Sequence, residues 1–246
     1  MYPDGIRMED YGLVPIRVAV GWGKVVFGCL SRKAPPFEEW VAPIMDRWNR
    51  YNIHKMSRFD RTLSVDYPIN WKLFAENTND DLHVRFVHNR LNEIRHQLDT
   101  QIFQEQWTSR GYKPHNDKDD PSGGRDDLDD MDLKGHYAEF IYPNLVALTF
   151  PTQLWLVRCD PLGPAEMRLY SRIYGLDTSV EVQDAAFEHL EQTNLEDTEM
   201  LQVLMDNLRS PFARAGPAST WEVRATHLWE TFRGLLDTPL APDEFG

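Results

Sequence analysis

Three apolar runs, followed at once by one long amphipathic run, restrict this chain more than any other feature. Residues 137–150 (YAEFIYPNLVALTF), 153–159 (QLWLVRC) and 167–175 (MRLYSRIYG) are rich in aromatic and β-branched residues, the composition of strands. Asp160–Pro161–Leu162–Gly163–Pro164 reads as the turn between the last two. Residues 180–208 then form the longest helix candidate. Upstream, residues 13–30 predict two strands joined at Gly21–Trp22–Gly23, and Ala34 to Trp48 predicts a helix. Residues 59–69 read as extended, Asn70 to Leu91 as a polar helix, and residues 92–110 are compatible with either strand or helix. A last helix follows the capping-box pattern Ser219–Thr220–Trp221–Glu222. The order strands, helix, strands, long helix fits an α+β domain, an antiparallel sheet with helices on one side.

The 246 residues suffice for a single domain spanning 1–246, and a hydrophobic share of 41% supports a real core. Residues 112–134 hold eight aspartates, two prolines and Gly123–Gly124, and are expected to form a polar surface loop. The net charge of −13 argues against a nucleic-acid backbone or an anionic membrane as partner. No apolar run approaches the ~20 residues of a membrane span, and the polar start MYPDGIRMEDYG lacks a signal-peptide core. A cytoplasmic location is the expectation. Cys29 and Cys159 both lie in apolar, strand-like runs and are expected to be buried thiols. They fit neither a disulfide framework nor an iron–sulfur ligand set.

The chemistry concentrates in Asn70–Trp–Lys–Leu–Phe–Ala–Glu76–Asn77–Thr–Asn–Asp80–Asp81–Leu–His83–Val–Arg–Phe–Val–His88. Asp80 and His83 are three apart and share a face if helical. His83 and His88 are five apart, which is roughly 140° of helical rotation. If both bind one metal, the helix must end or distort between them. Imidazole suits iron, zinc and copper alike, and the pair alone also fits ordinary core or surface histidines. The long helix adds a carboxylate. Leu190, Asn194, Asp197, Leu201, Leu204 and Leu208 recur at steps of 4, 3, 4, 3 and 4 and define one face. Asp197 therefore sits in an apolar stripe and needs a partner: a metal, an arginine or a backbone cap. Glu196 and Glu199 fall off the stripe and are expected to be solvated. Two imidazoles and one carboxylate on one face of a metal form the facial triad of oxygen-activating iron(II) sites.

The pattern N-W-K-x3-E-N-x2-D-x2-H-x4-H resembles the iron motif of the Rieske non-haem iron oxygenase α subunits. The likeness continues in Tyr11–Gly–Leu–Val–Pro–Ile–Arg–Val, Trp22–Gly–Lys–Val–Val–Phe, Pro143–Asn–Leu, Pro161–Leu–Gly–Pro, Glu196–Asp197 and the stretch from Gly216 to Leu235. It implies a helix-grip fold of the START and Bet v1 type, an antiparallel sheet packed around a long C-terminal helix with a deep cavity. It implies His83, His88 and Asp197 as ligands of a mononuclear Fe(II). Asp80 becomes the bridging carboxylate toward the electron donor, with Asp81 as its rival, and Asn77 a pocket residue beside the iron. Trp71 and Lys72 match the motif and are expected to be structural. The spacing of Asn77, Asp80 and His83 is closer to the monooxygenase and O-demethylase branch than to naphthalene-type dioxygenases.

The family's C-x-H…C-x2-H Rieske site has no counterpart in these 246 residues, so either electrons come from a separate Rieske or ferredoxin-type chain, as in a split enzyme, or these residues are the excised catalytic part of a longer one. The substrate would be small and apolar, with O2 as co-substrate, and a homotrimer is the assembly the family implies. The competing reading is a non-catalytic helix-grip protein that binds an apolar ligand or acts as a scaffold; a hydrolase using another metal ranks below both. His96, His115, His136, His189 and His227 lack paired ligand spacing, and at most one of them is expected to be functional.

Overall fold

Strand β9 shows how the fold is divided. The computed structural model describes residues 13, 15–88, 101–105, 108–114 and 125–237. Within it β9 spans Gln153–Gly163, and its side chains alternate between two cores. Trp155, Val157 and Cys159 face one core with Phe59, Phe140 and Phe187. Leu154 and Leu156 face the other with Trp48, Tyr51 and Ile141. Each fully buried Phe contributes roughly 1.5–3 kcal/mol through the apolar surface it removes from water.

The elements before β9 are β1 (Arg17–Gly21), β2 (Val25–Cys29), α1 (Phe37–Arg50), a 3-10 turn (Ile53–Lys55), β3 (Ser57–Arg58), β4 (Leu63–Tyr67), α2 (Trp71–Asn79), α3 (Val84–Val87), β5 (Gln101–Glu105), β6 (Thr108–Pro114), α4 (Asp130–Leu133), β7 (Gly135–Ile141) and β8 (Leu145–Thr149). After it come β10 (Glu166–Gly175), α5 (Val180–Leu208) and α6 (Val223–Asp237). The main sheet runs β3-β10-β9-β8-β7-β6-β5, with β4 also paired to β10. The pairs are antiparallel. Helices α2, α5 and α6 cover the first face, giving the α+β helix-grip architecture, and Trp71 of α2 meets Phe232 of α6 at 5.5 Å. The β1–β2 hairpin turns at Trp22 and Gly23, with φ of 50° and 69°.

Five expectations need correction. Helices lie on both faces, because β7 is buried on each side and α1 must cover the second. Residues 137–150 are a hairpin folded at Tyr142–Pro143–Asn144, not one strand. The strand predicted to stop at Cys159 continues to Gly163, and the turn falls at Pro164–Ala165. Pro161 is tolerated where the β9–β10 register shifts. The polar loop expected at 112–134 is narrower: β6 takes its start and α4 its end. Asp132 is only 1% exposed and accepts a 3.0 Å hydrogen bond from the Tyr51 hydroxyl. Residues 115–124 of that loop, with His115, and residues 89–100, with His96, lie outside the described residues, while Leu128 from the described part is buried in the second core. Cys159 is buried as expected, whereas Cys29 is only partly so. No helix among the described residues is long and apolar enough to cross a membrane.

Candidate metal centre

The helix predicted from Asn70 to Leu91 stops at Asn79. It begins normally, with the Asn70 side chain accepting from the Lys72 amide at 3.0 Å. Asp80 is extended (φ −98°, ψ 122°), and its carboxylate accepts from the amides of Leu82 at 2.7 Å and His83 at 3.3 Å. That side-chain turn competes with the helical ladder and restarts the chain in a new direction. A single turn, α3, follows, with His83 at its start and His88 at its end, where φ −97° and ψ 81° leave the helix. The helix is expected to end or distort between the two histidines; instead Val84–Val87 is helical between them, the break falls before His83 and the backbone leaves the helix only at His88. Asp80 and His83 are neighbours through the turn, not through a shared helix face.

The two rings meet at 5.3 Å between centroids, tilted by 75°. Nε2 of His88 lies 3.0 Å from Oδ1 of Asp197, and Nε2 of His83 lies 3.4 Å from the same oxygen. One ligand atom from each of the three residues falls within 4.8 Å of the others. Asp197 projects from the buried stripe of α5, between Asn194 and Leu201. The outer nitrogens face carboxylates as well. Nδ1 of His83 is 3.5 Å from Oδ2 of Asp80, and Nδ1 of His88 is 2.8 Å from Oε2 of Glu196. The Gln192 side chain donates to the other Glu196 oxygen at 2.8 Å. Glu196, expected to be solvated, is therefore part of the site.

Burial disfavours a charged His83, but Asp197 and then Asp80 outweigh it and raise its pKa to about 9. Burial opposes the charge on Asp197, yet the neighbouring His83 and His88 hold it well below the usual carboxylate range. Asp80 is likewise lowered, since His83 and the Leu82 amide outweigh its burial. Among the described residues the buried Oδ1 of Asp197 accepts no hydrogen bond of proper geometry, although both Nε2 atoms lie within 3.4 Å of it. Two imidazole Nε2 atoms and a carboxylate oxygen thus converge within reach of one ion, which would displace the proton that His83 holds without it, and Glu196 at 2.8 Å behind His88 can fix the tautomer of that ring. This donor set fits a divalent iron.

A cavity of about 100 Å³ opens beside the three residues. Val146, Leu148, Val157 and Phe74 form its apolar walls, and Asn77 lines it with a buried amide Nδ2 that has no hydrogen-bond partner among the described residues. Asp81 faces away from the cavity, its Oδ2 3.5 Å from Nη1 of the buried Arg224. His136 and His189 line the cavity too, which their lack of paired spacing did not reveal. A signal was available for His189: it continues the row His189, Thr193, Asp197 at steps of four along α5. His227 lies elsewhere, its Nδ1 2.8 Å from the Tyr142 hydroxyl.

The fold and the convergent triad place the chain among helix-grip proteins with a two-histidine, one-carboxylate cluster. Residues 53–237 match the catalytic domain of the ring hydroxylating alpha subunit, and the chain belongs to that oxygenase family, whose catalytic domains use a mononuclear non-haem iron. It is 34% identical over 87 residues to terephthalate 1,2-dioxygenase, terminal oxygenase component subunit alpha 2, of Comamonas sp.. That stretch covers 35% of this chain and 21% of the relative. Among solved structures, a quaternary ammonium Rieske monooxygenase superposes with a TM-score of 0.72 at 15% identity, covering 90% of this chain and 60% of that one. Naphthalene 1,2-dioxygenase from Rhodococcus sp. gives 0.71 at 16% identity, covering 97% and 70%. These likenesses show the shared fold. The chain spans 60% of the length of the monooxygenase it resembles.

Proposed function

We propose that the chain is the catalytic unit of an iron-dependent oxygenase, a single domain in which His83, His88 and Asp197 hold Fe(II) and the adjoining cavity holds a small, single-ring apolar substrate. One observation carries this reading: both Nε2 atoms turn toward one unsatisfied Asp197 oxygen while both Nδ1 atoms are backed by acids. The bound iron supplies O2 activation and leaves positions open for it. The protein's residues do the rest. The aliphatic and aromatic walls exclude water and hold the substrate ring beside the triad. Asn77 offers its buried amide, unpaired among the described residues, to whatever occupies the space above the ligands. Asp80, between His83 and the surface at 23% side-chain exposure, is the contact toward an electron donor. That donor is a Rieske or ferredoxin-type centre, which the two cysteines of these 246 residues do not build. A ring of copies, in the simplest case a homotrimer, would set Asp80 beside a donor centre carried by a neighbour. A cytoplasmic location suits such an electron chain. The relative named for terephthalate supports an aromatic substrate, and a cavity of about 100 Å³ disfavours a polycyclic one.

The test is iron content after anaerobic reconstitution of wild type, His83→Ala and Asp197→Ala. Wild type is expected to retain stoichiometric iron through gel filtration and both variants to lose it. An iron-free wild type, or variants that retain as much, would overturn the reading.

A further inference from the structure

The second sheet face carries a groove of about 1060 Å³ between the β1–β2 hairpin and strands β9 and β10. It backs onto the metal centre across the sheet. Val157 of β9 lines the metal cavity, whereas its neighbours Leu156 and Arg158 point the opposite way and line the groove. The charge of the groove is one-sided. Lys24, Arg58, Arg158 and Arg172 line it, and among the described residues no Asp or Glu does, in a chain of net charge −13. Two arginines of this face are matched by acids: Arg158 by Asp160 at 2.6 Å and Arg168 by Asp66 at 2.6 Å. Lys24, Arg58 and Arg172 have no ion-pair partner among the described residues. Arg172 turns to the neutral Tyr170 hydroxyl instead, donating to it from Nε at 2.8 Å.

The three unmatched cations meet at one side chain. Arg58 stands directly opposite Tyr174 in the β3–β10 pairing. Arg172 precedes Tyr174 by two residues on the same side of β10. Nζ of Lys24 lies 5.3 Å from the centre of the Tyr174 ring. Tyr174 itself is only 7% exposed. Burial pushes its phenol up, and the positive charges of Arg172 and Arg58 pull against that rise. Same-face neighbours in such a pairing sit roughly 5–8 Å apart, so the three charges repel one another. Burial already lowers the pKa of Lys24.

From this arrangement we infer that the groove is a binding site for a phosphate monoester with an apolar body, held by Lys24, Arg58 and Arg172. A phosphate monoester brings about −1.5 to −2 charges at pH 7 and three acceptor oxygens, so it can meet all three cations at once. A carboxylate brings one charge and two oxygens and leaves much of the repulsion standing. Guanidinium forks also match phosphate oxygens in pairs. The phosphate alone would fill a small part of about 1060 Å³. The buried Met56, Ile141 and Leu156 give the rest of the ligand an apolar floor. The site lies on the opposite face of the sheet from the triad and stands whether or not the triad takes iron.

The test is calorimetric titration of the metal-free chain with phenyl phosphate at fixed ionic strength. Inorganic phosphate, glutarate and a hexaglutamate peptide are the comparisons. Glutarate has the charge without the phosphoryl oxygens, and the peptide stands for an acidic segment of a partner protein. Wild type is expected to bind phenyl phosphate more tightly than any of the three. Lys24→Gln, Arg58→Gln and Arg172→Gln are each expected to weaken it by about tenfold or more, the range of one hydrogen bond to a charged group. Arg168→Gln, at a matched arginine, and His83→Ala, at the triad, are expected to bind like wild type. Lys24→Gln and Arg58→Gln remove mutually repelled charges and are expected to melt no lower than wild type in low salt, so weakened binding there is not loss of fold. The inference is overturned if phenyl phosphate does not bind, if any comparison anion binds as tightly, or if the three groove variants bind like wild type. It is also overturned if His83→Ala abolishes binding, or if Lys24→Gln and Arg58→Gln melt lower, since the cations would then already be compensated.

Discussion

Glu196 and Asp197 bracket one imidazole: Oε2 of Glu196 lies 2.8 Å from Nδ1 of His88, and Oδ1 of Asp197 lies 3.0 Å from its Nε2. Consecutive residues of α5 thus address both nitrogens of the same ring. A carboxylate at Nδ1 keeps the proton there and leaves Nε2 with its lone pair for a metal. Glu196→Gln removes the charge and keeps the shape. Iron affinity is expected to fall by about 10- to 100-fold, the usual range for such partners of ligand histidines. Competition against a coloured chelator under anaerobic conditions measures it. An unchanged affinity would show that the ring is oriented by something other than Glu196.

The raised pKa of His83 gives the centre a pH dependence of opposite sign with and without metal. In the metal-free chain the imidazole titrates at about 9, against 6.5 for the free side chain, because Asp197 and Asp80 outweigh its burial. A folded-state pKa above the unfolded value means stability that is fully present below the unfolded pKa and lost as pH rises through the folded one. The metal-free protein should therefore lose stability between 6.5 and about 9. Metal binds only the neutral ring, so the gain in Tm on metal addition should widen over the same interval. Melting curves with and without anaerobic Fe(II) across this range test both trends. A His83→Asn control should abolish the first, and a gain that narrows with rising pH would contradict the second.

The triad was legible because each member broke a local rule. Asp197 interrupted an apolar stripe, and His83 with His88 could not share a straight helix. Glu196 was misread for a geometric reason. One residue further round α5 points off the stripe, but a longer side chain reaches back to a ring supplied by α3. His136 and His189 meet at the cavity only through the pairing of β7, β8 and β9 and their packing against α5, which no local spacing encodes. The strand at Thr108–Pro114 was hidden by its polar composition. Its Tyr112 ring lies against Gly135, where an added Cβ would come within 2.6 Å of the Tyr112 hydroxyl, so the strand's fit is written in a distant glycine. Helix α1 on the second sheet face followed from β7 being buried on both sides, with Glu139 of β7 bonded to Trp48 of α1 at 2.8 Å, a property visible only once its neighbours are known.

Behind the metal-site turn, Arg224 of α6 is 1% exposed, donates to the Ala138 carbonyl at 3.2 Å and lies 3.5 Å from the Asp81 carboxylate. Removing one partner of a buried pair strands the other charge. Arg224→Met is expected to destabilise the metal-free chain by about 3–5 kcal/mol, read from urea denaturation. The bidentate Arg168–Asp66 pair makes the contrast. Both side chains are about half exposed, and Arg168→Ala is expected to leave the denaturation midpoint unchanged. Equal effects at the two sites would mean that burial does not govern these pairs.

Asp80 separates holding the metal from using it. Its carboxylate accepts from the Leu82 amide at 2.7 Å and from the His83 amide at 3.3 Å, and Oδ2 faces Nδ1 of His83 at 3.5 Å. Asp80→Asn can keep the bond to Leu82 through its carbonyl oxygen, so the turn and the positions of the three ligands should survive. What it loses is a charge beside His83 and an acceptor for a donor group docked at the surface. Iron content is expected to stay close to wild type, while multiple-turnover oxygenation with an added Rieske-bearing partner falls by about 10- to 100-fold or more. Measuring iron and turnover on the same sample separates the possibilities. Loss of both would make Asp80 a structural support for His83, and wild-type turnover would remove it from the electron path altogether.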